Sequence, residues 1–189
     1  MQSEKPLKRV WHCKYTTKNS SRKTFRKKMI NRRPGTTKIE PSRKEYEALP
    51  DAEWRKDYFN EENGGYLATS WKRLNEAMIK NEPEKFEIEN DMCLTFAKAG
   101  FRVLHYEDLK REGSFDVLID GTRADLKKTK STNNIIRYAK HALRVQNAEI
   151  ILIQFENWGN EFREIVSEMS RKGIHGLYFV TGREIVHRF

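Results

Sequence analysis

An Asp120-Gly121 dipeptide separates two short alternating runs, Phe115-Asp116-Val117-Leu118-Ile119 and Thr122-Arg123-Ala124-Asp125-Leu126-Lys127. Asp-Gly between such runs is a strong hairpin signal, because both central positions of a type I′ turn need positive φ. A two-residue turn at 120–121 sets 119 against 122, 118 against 123 and 116 against 125. Asp116 and Asp125 then face each other across the ladder, and Lys127, two residues on, projects from the same face. Opposed like charges destabilise a hairpin, so a cation is expected between them. Two carboxylates and a lysine around a hard metal ion describe a site that cleaves phosphodiesters. The plainer alternative is a solvated face: Phe115, Val117, Ile119, Ala124 and Leu126 would take the core, and charges on the outer side of an edge hairpin are ordinary.

The elements that must position these residues follow from periodicity. Residues 84–99 read as an amphipathic helix with Phe86, Cys93, Phe96 and Ala97 on one side and Gly100 ending it. Phe101–Tyr106 is strand-like, the hairpin follows at 115–128, and Asn133 or Asn134 can cap a helix running to about Gln146. Ile150-Ile151-Leu152-Ile153 is a continuous apolar run, as expected of a central strand covered on both faces. A helix over 160–172 and a strand at 176–180 complete the order. The expected fold class is α/β (α+β), a mixed β-sheet flanked by helices.

Three regions are expected: a basic arm over 1–50, an aromatic-rich lead-in over 51–83 and a nuclease-like domain over 84–189. Residues 1–50 hold 15 Lys/Arg against 4 Asp/Glu, whereas the remainder is nearly neutral. The arm reads as flexible when alone and suited to polyanions, with nucleic acid favoured over membrane because it lacks an apolar face. A solubilising tail is the alternative. It ends near Pro41 and a short polar helix before Leu49-Pro50. In the lead-in, Trp54, Tyr58, Phe59, Tyr66 and Trp71 surround Asn63-Gly64-Gly65, which predicts a hairpin or loop packed on the domain, then a short helix around 71–80. No apolar run is long enough to span a bilayer, and the polar, basic start carries no secretory signal. Cys13 and Cys93 have no metal or disulfide spacing, which suits a reducing, cytoplasmic setting.

Element order and motif together resemble the PD-(D/E)xK nuclease superfamily, with Phe115-Asp116 standing for the Pro-Asp and Asp125-Leu126-Lys127 for the D/E-x-K triplet. More narrowly, residues from about 86 to 155 are similar to the C-terminal tRNA-nuclease toxin domain of the CdiA contact-dependent inhibition proteins, and to related domains of phage head-morphogenesis proteins and mobile elements. The shared features are Glu89-x-x-x-Cys93-x-x-Phe96-Ala97-x-x-Gly100, the hairpin, and a helix whose Gln146 precedes the apolar strand. Phe115 departs from the usual proline, the upstream acid has two candidates in Glu87 and Glu89 (Glu89 favoured, one turn before Cys93), and residues 1–83 find no counterpart.

The resemblance implies a restriction-endonuclease-like core and a toxin or mobile-element endonuclease that acts on RNA, tRNA in particular, ahead of DNA. By chemistry and resemblance together, Asp116 and Asp125, with Glu89 holding a metal-bound water or accepting a proton, are expected to hold Mg²⁺ or another divalent ion. Lys127 would orient the attacking water or offset phosphorane charge, and the superfamily's use of the intervening carbonyl would fall on Leu126. A cognate immunity protein is the partner the resemblance implies; oligomeric state is left open. Lys128, Lys130, Arg137, Lys140 and Arg144, with Arg123, surround the hairpin and following helix, and Asp125 is the sole acid from 123 to 144. They form the expected phosphate track, an unpartnered basic face being the alternative. Thr129, Asn133 and Asn134 could meet a phosphate, though capping is the safer expectation. Two rival functions stand: a metal-independent ribonuclease of the barnase/EndoU/RelE type using His105, His141 or His175, and a non-catalytic nucleic-acid-binding module resting on the arm.

Overall fold

The computed structural model describes residues 39–106, 114–183 and 185–189, so most of the expected basic arm lies outside the described residues. Five helices and eight strands fill the rest: α1 (Ile39–Glu47), β1 (Trp54–Phe59), β2 (Tyr66–Ser70), α2 (Trp71–Ile79), α3 (Pro83–Lys98), β3 (Arg102–His105), β4 (Val117–Ile119), β5 (Thr122–Thr129), α4 (Ile135–Arg144), β6 (Ile150–Phe155), α5 (Asn160–Arg171), β7 (Gly176–Val180) and β8 (His187–Arg188). The strands make one mixed sheet in sequential order, β1 to β8. Neighbours β2/β3, β5/β6 and β6/β7 run parallel, and the other pairs are antiparallel. The α/β (α+β) class expected from periodicity is the one observed.

Residues 51–83 join this sheet. β1 and β2 form a hairpin over Asn63-Gly64-Gly65, and β2 then pairs parallel to β3, with Thr69 beside His105. Helix α3 starts at Pro83, which tolerates the first turn because its missing N–H is unneeded there. Its end presses on the hairpin, since a Cβ on Gly65 would stand 2.0 Å from the Ala97 carbonyl oxygen. Only a glycine admits so close an approach.

Helices cover both faces. Beneath α3, Phe86 stacks on His105, and Phe96 meets Phe101 and Phe179 edge-on. The same face takes Val103, Val117 and Ile119, all fully buried. On the opposite face, Ile135, Ala139 and Ala142 of α4 and Phe162 and Met169 of α5 pack with Ile151, Ile153 and Phe155 of β6. Helices on both sides explain why residues 150–153 are continuously apolar.

Candidate active site

Asp120 and Gly121 adopt φ values of 48° and 77°, the paired positive angles of the expected turn. The register follows: Ile119 pairs with Thr122, Leu118 with Arg123 and Val117 with Ala124. Asp120 earns its place beyond the turn, because its Oδ1 accepts from the amide and Nε of Arg102 at 3.2 and 3.0 Å. The ladder deviates at its open end. The amide of Asp116 donates to the Ala124 carbonyl (3.0 Å), although Ala124 already pairs with Val117. Asp116 is thus offset by one residue from a strict 116–125 pairing and stands just outside β4.

The offset keeps the carboxylates together. Oδ2 of Asp116 accepts from the Leu126 amide at 2.7 Å, between Asp125 and Lys127 in sequence. Asp125 is wholly buried. Nζ of Lys127 approaches its Oδ2 to 2.6 Å, an ion pair in distance, yet no donor is aligned as a hydrogen bond on either Asp125 oxygen. Burial first, then the Asp125 charge, pushes the Asp116 carboxyl up to about 7; the Leu126 amide works against them. Burial also raises Asp125, opposed chiefly by Lys127. Two crowded carboxylates, one half-buried and one wholly buried, are receptive to a hard cation.

Glu89 points inward on α3 and Glu87 is exposed. Its carboxylate is already held: Nη2 of Arg73 lies 2.5 Å from Oε2, and Nε2 of His105 3.6 Å away. Despite burial, which raises it, the neighbouring His105 and Arg73 take its pKa down to about 2. A group that acidic is a poor proton acceptor near neutral pH. Glu89 still acts on both aspartates through its charge. Among the described residues, however, no three His, Cys, Asp or Glu side chains converge as a ready metal cluster. The residues fit a cation carried by Asp116 and Asp125 with water completing its shell, rather than a three-carboxylate cage.

Arg73 is the member of this region that sequence reasoning missed. It is 8% exposed, in the first turn of α2, and its Nε also donates to His105 Nε2 at 3.3 Å. Accepting that bond keeps His105 neutral, as does burial, which lowers its pKa. Ser70 caps the helix by accepting from the Arg73 amide. Apart from Glu76 one turn on in its own helix, the partners of Arg73 come from β3 and α3, which no local pattern marks.

The basic residues gather on and before α4. Lys128, Lys130, Arg137 and Arg144 are exposed, Lys140 is half-buried, and Lys128 has a loose contact with Glu156 at 3.9 Å. Arg137 lies over the Tyr138 ring, 5.2 Å from its centre. A recess of about 500 Å³ is lined by Ile136, Arg137, Lys140, His141, Arg144 and Val145. Asn134 occupies the position before α4 with φ of 62°, but its side chain makes no capping bond. Left-handed backbone, rather than a side-chain acceptor, is what the asparagine supplies. Of the three histidines considered for metal-free chemistry, His105 lies on β3, His141 on α4 and His175 in the connection before β7, and His105 is fully buried.

No family model and no curated protein matches the chain. Among solved structures, a CdiA-CT/CdiI toxin and immunity complex from Burkholderia pseudomallei is similar over 53% of this chain and 80% of that chain, at 15% identity and a TM-score of 0.45. So distant a likeness carries no chemistry, and the residues must carry it. No helix among the described residues is long and apolar enough to cross a membrane.

Proposed function

We propose that this protein is a metal-dependent endonuclease that hydrolyses phosphodiester bonds, in RNA ahead of DNA. The observation that carries the reading is the pairing of half-buried Asp116 with wholly buried Asp125, the Lys127 ammonium 2.6 Å from Asp125 and no aligned donor on either Asp125 oxygen. A structural ion pair of this kind is costly to bury and would normally have its lone pairs satisfied. A site that must release them to a ligand has reason not to.

Asp116 and Asp125 would hold Mg²⁺, which when bound stabilises charge on the phosphoryl oxygens and acidifies water. The Leu126 amide fixes Asp116 by donating to Oδ2, leaving its other oxygen for the ligand. Lys127, half-exposed beside buried Asp125, offers an ammonium to the attacking water or to the phosphorane oxygens. Glu89 stays ionised and adds negative potential that favours cation loading. The α4 cations would seat the flanking phosphates. The preference for tRNA, and a cognate immunity partner, follow from the sequence resemblance alone and belong to the proposal on that footing.

The test incubates total RNA and plasmid DNA separately with wild type and Lys127→Ala, in Mg²⁺ or EDTA. Cleavage should need Mg²⁺ and fall about 10²- to 10⁴-fold in the variant, the range for a lost catalytic group. EDTA-resistant cleavage leaving 2′,3′-cyclic ends would overturn it in favour of metal-free ribonuclease chemistry. The one-sided basic face of α4 favours a second reading, a binding module without chemistry, which gains if Asp125→Ala leaves function intact.

A further inference from the structure

Beyond the carboxylates, the far edge of the sheet carries an aromatic row that the cleavage chemistry does not use. In the interior beneath α5, rings meet edge-on: Phe155 with Phe162 at 70° and with Tyr178 at 67°. Toward the surface the geometry changes. Trp158 and Tyr178 lie at 18° with centroids 5.1 Å apart, and Tyr178 and His187 at 24° and 5.0 Å. Trp158 and Tyr178 are half-buried, and His187 is exposed on the edge strand β8. Edge-on contacts are ordinary in a core. Phe162, Trp158, Tyr178 and His187 instead form a stack of near-parallel rings whose inner faces cover one another, so its exposed end is the His187 ring.

The row is in register with the candidate site. Lys127 pairs with Ile153, Ile153 with Tyr178, and Tyr178 with His187. Strands lie roughly 4.8 Å apart, so the Tyr178 backbone is two spacings, or about 10 Å, from that of Lys127, on the same face. Trp158 sits in the turn after β6, and Lys127 near the end of β5, its parallel neighbour. Both therefore lie toward the carboxyl ends of parallel strands, where open α/β sheets bind ligands. Arg163, exposed in the first turn of α5, supplies a positive charge near enough to oppose the upward push of burial on the Tyr178 phenol. Rings beside a guanidinium are the usual equipment for unpaired nucleotides, because every base has a π face and every link a phosphate.

We propose that His187, backed by the stacked rings of Tyr178 and Trp158, forms a stacking platform for an unpaired nucleobase adjoining the cleavage site. The inference rests on the nuclease reading and narrows its substrate to single-stranded or looped nucleic acid. Continuous duplex keeps its bases stacked inside and cannot use the rings.

The test measures binding by fluorescence anisotropy, with a labelled 12-nucleotide RNA and the same strand annealed to its complement. The full chain carrying Lys127→Ala is used in EDTA, so that cleavage cannot intervene. The single strand should bind more tightly than the duplex. His187→Ala should weaken single-strand binding about 5- to 100-fold, the effect of losing one stacked base, and leave duplex binding unchanged. Trp158→Leu should do the same, and if its packing role unfolds the chain, the exposed His187 position still decides. Equal loss on both substrates, no loss on either, or no single-strand binding overturns the platform. Cleavage by wild type, assayed in parallel, separates the two readings. Ring-dependent binding without any cleavage retires the nuclease and keeps the platform, whereas cleavage with ring-independent binding retires the platform alone.

Discussion

Nη2 of Arg73 stands 2.5 Å from Oε2 of Glu89, joining the first turn of α2 to the middle of α3 across a buried gap. The same guanidinium donates to His105 Nε2, and its plane lies over the Phe86 ring at 5.5 Å. One cation thus ties two helices and a strand behind the aspartates. Removing it leaves Glu89 ionised in a largely buried position with only the loose contacts of Lys85, 3.9 Å away, and His105. Arg73→Met should cost on the order of 3 kcal/mol of folding stability by urea titration. Adding Glu89→Gln to it should restore part of that loss, since the stranded charge is then gone. If the double variant is no more stable than the single one, the contact is not what sets the energy there.

The aspartate pair makes stability fall as pH rises. Asp116 is pushed up to about 7 by burial and by Asp125, and its unfolded value is near 3.8. Between these values the folded chain holds a proton that the unfolded chain releases, so deprotonation favours unfolding. The stabilisation is fully present below the unfolded value and is lost as pH climbs through the folded one. Melting temperature in EDTA should decline from pH 5 to pH 8 and level off above. Asp125→Asn removes the like charge and should flatten that decline. A melting curve whose midpoint rises over the same range would contradict the coupled pair.

Cation binding at the pair predicts the opposite trend when Mg²⁺ is present. The ion competes with the shared proton, so its stabilising effect should grow from pH 5.5 to pH 8. At a hundredfold excess over its dissociation constant the gain should be about 2.7 kcal/mol. Asp116→Asn should abolish it, whereas Glu89→Gln should reduce it modestly, because Glu89 contributes potential and is occupied by Arg73. Calorimetric titration reads both. Equal Mg²⁺ responses in wild type and Asp116→Asn would place the ion elsewhere.

The parts of this fold that were legible share a local cause. Asp120-Gly121 is readable because few residues accept two positive φ angles in succession, and β6 because an apolar tetrad cannot sit at a surface. The hairpin of β1 and β2 is readable from Asn63-Gly64-Gly65, but not its joining the main sheet, since Trp54-Arg55-Lys56-Asp57-Tyr58-Phe59 is mostly half-buried and mixes charge with aromatics. Its place in the sheet depends on the β2/β3 pairing, which spans two intervening helices and leaves no trace in neighbouring residues. β8 has two residues and no periodicity to offer. The same holds within the site. Asp116, Asp125 and Lys127 could be grouped from one turn, but Arg73 meets Glu89 and His105 only through tertiary packing. The capping expected of Asn134 fails for a local reason, the left-handed backbone that directs its side chain away.

The basic face of α4 should carry binding without carrying stability. Ile135, Ala139 and Ala142 turn inward onto β6, while Arg137, Lys140 and Arg144 lie along the outer side. Replacing the three with Gln keeps helix propensity close to that of the originals, so the urea midpoint should stay within experimental error. Each phosphate contact removed should lower the slope of log affinity against log salt by about 0.7 to 0.9. Three lost contacts would cut the slope by roughly 2 to 3, with the loss of affinity largest at low salt. His187→Ala should leave this slope unchanged, because a stacked base releases no counterion. A triple variant with the wild-type salt slope would mean that phosphates do not run along α4, and that the recess beside it serves some other ligand or none.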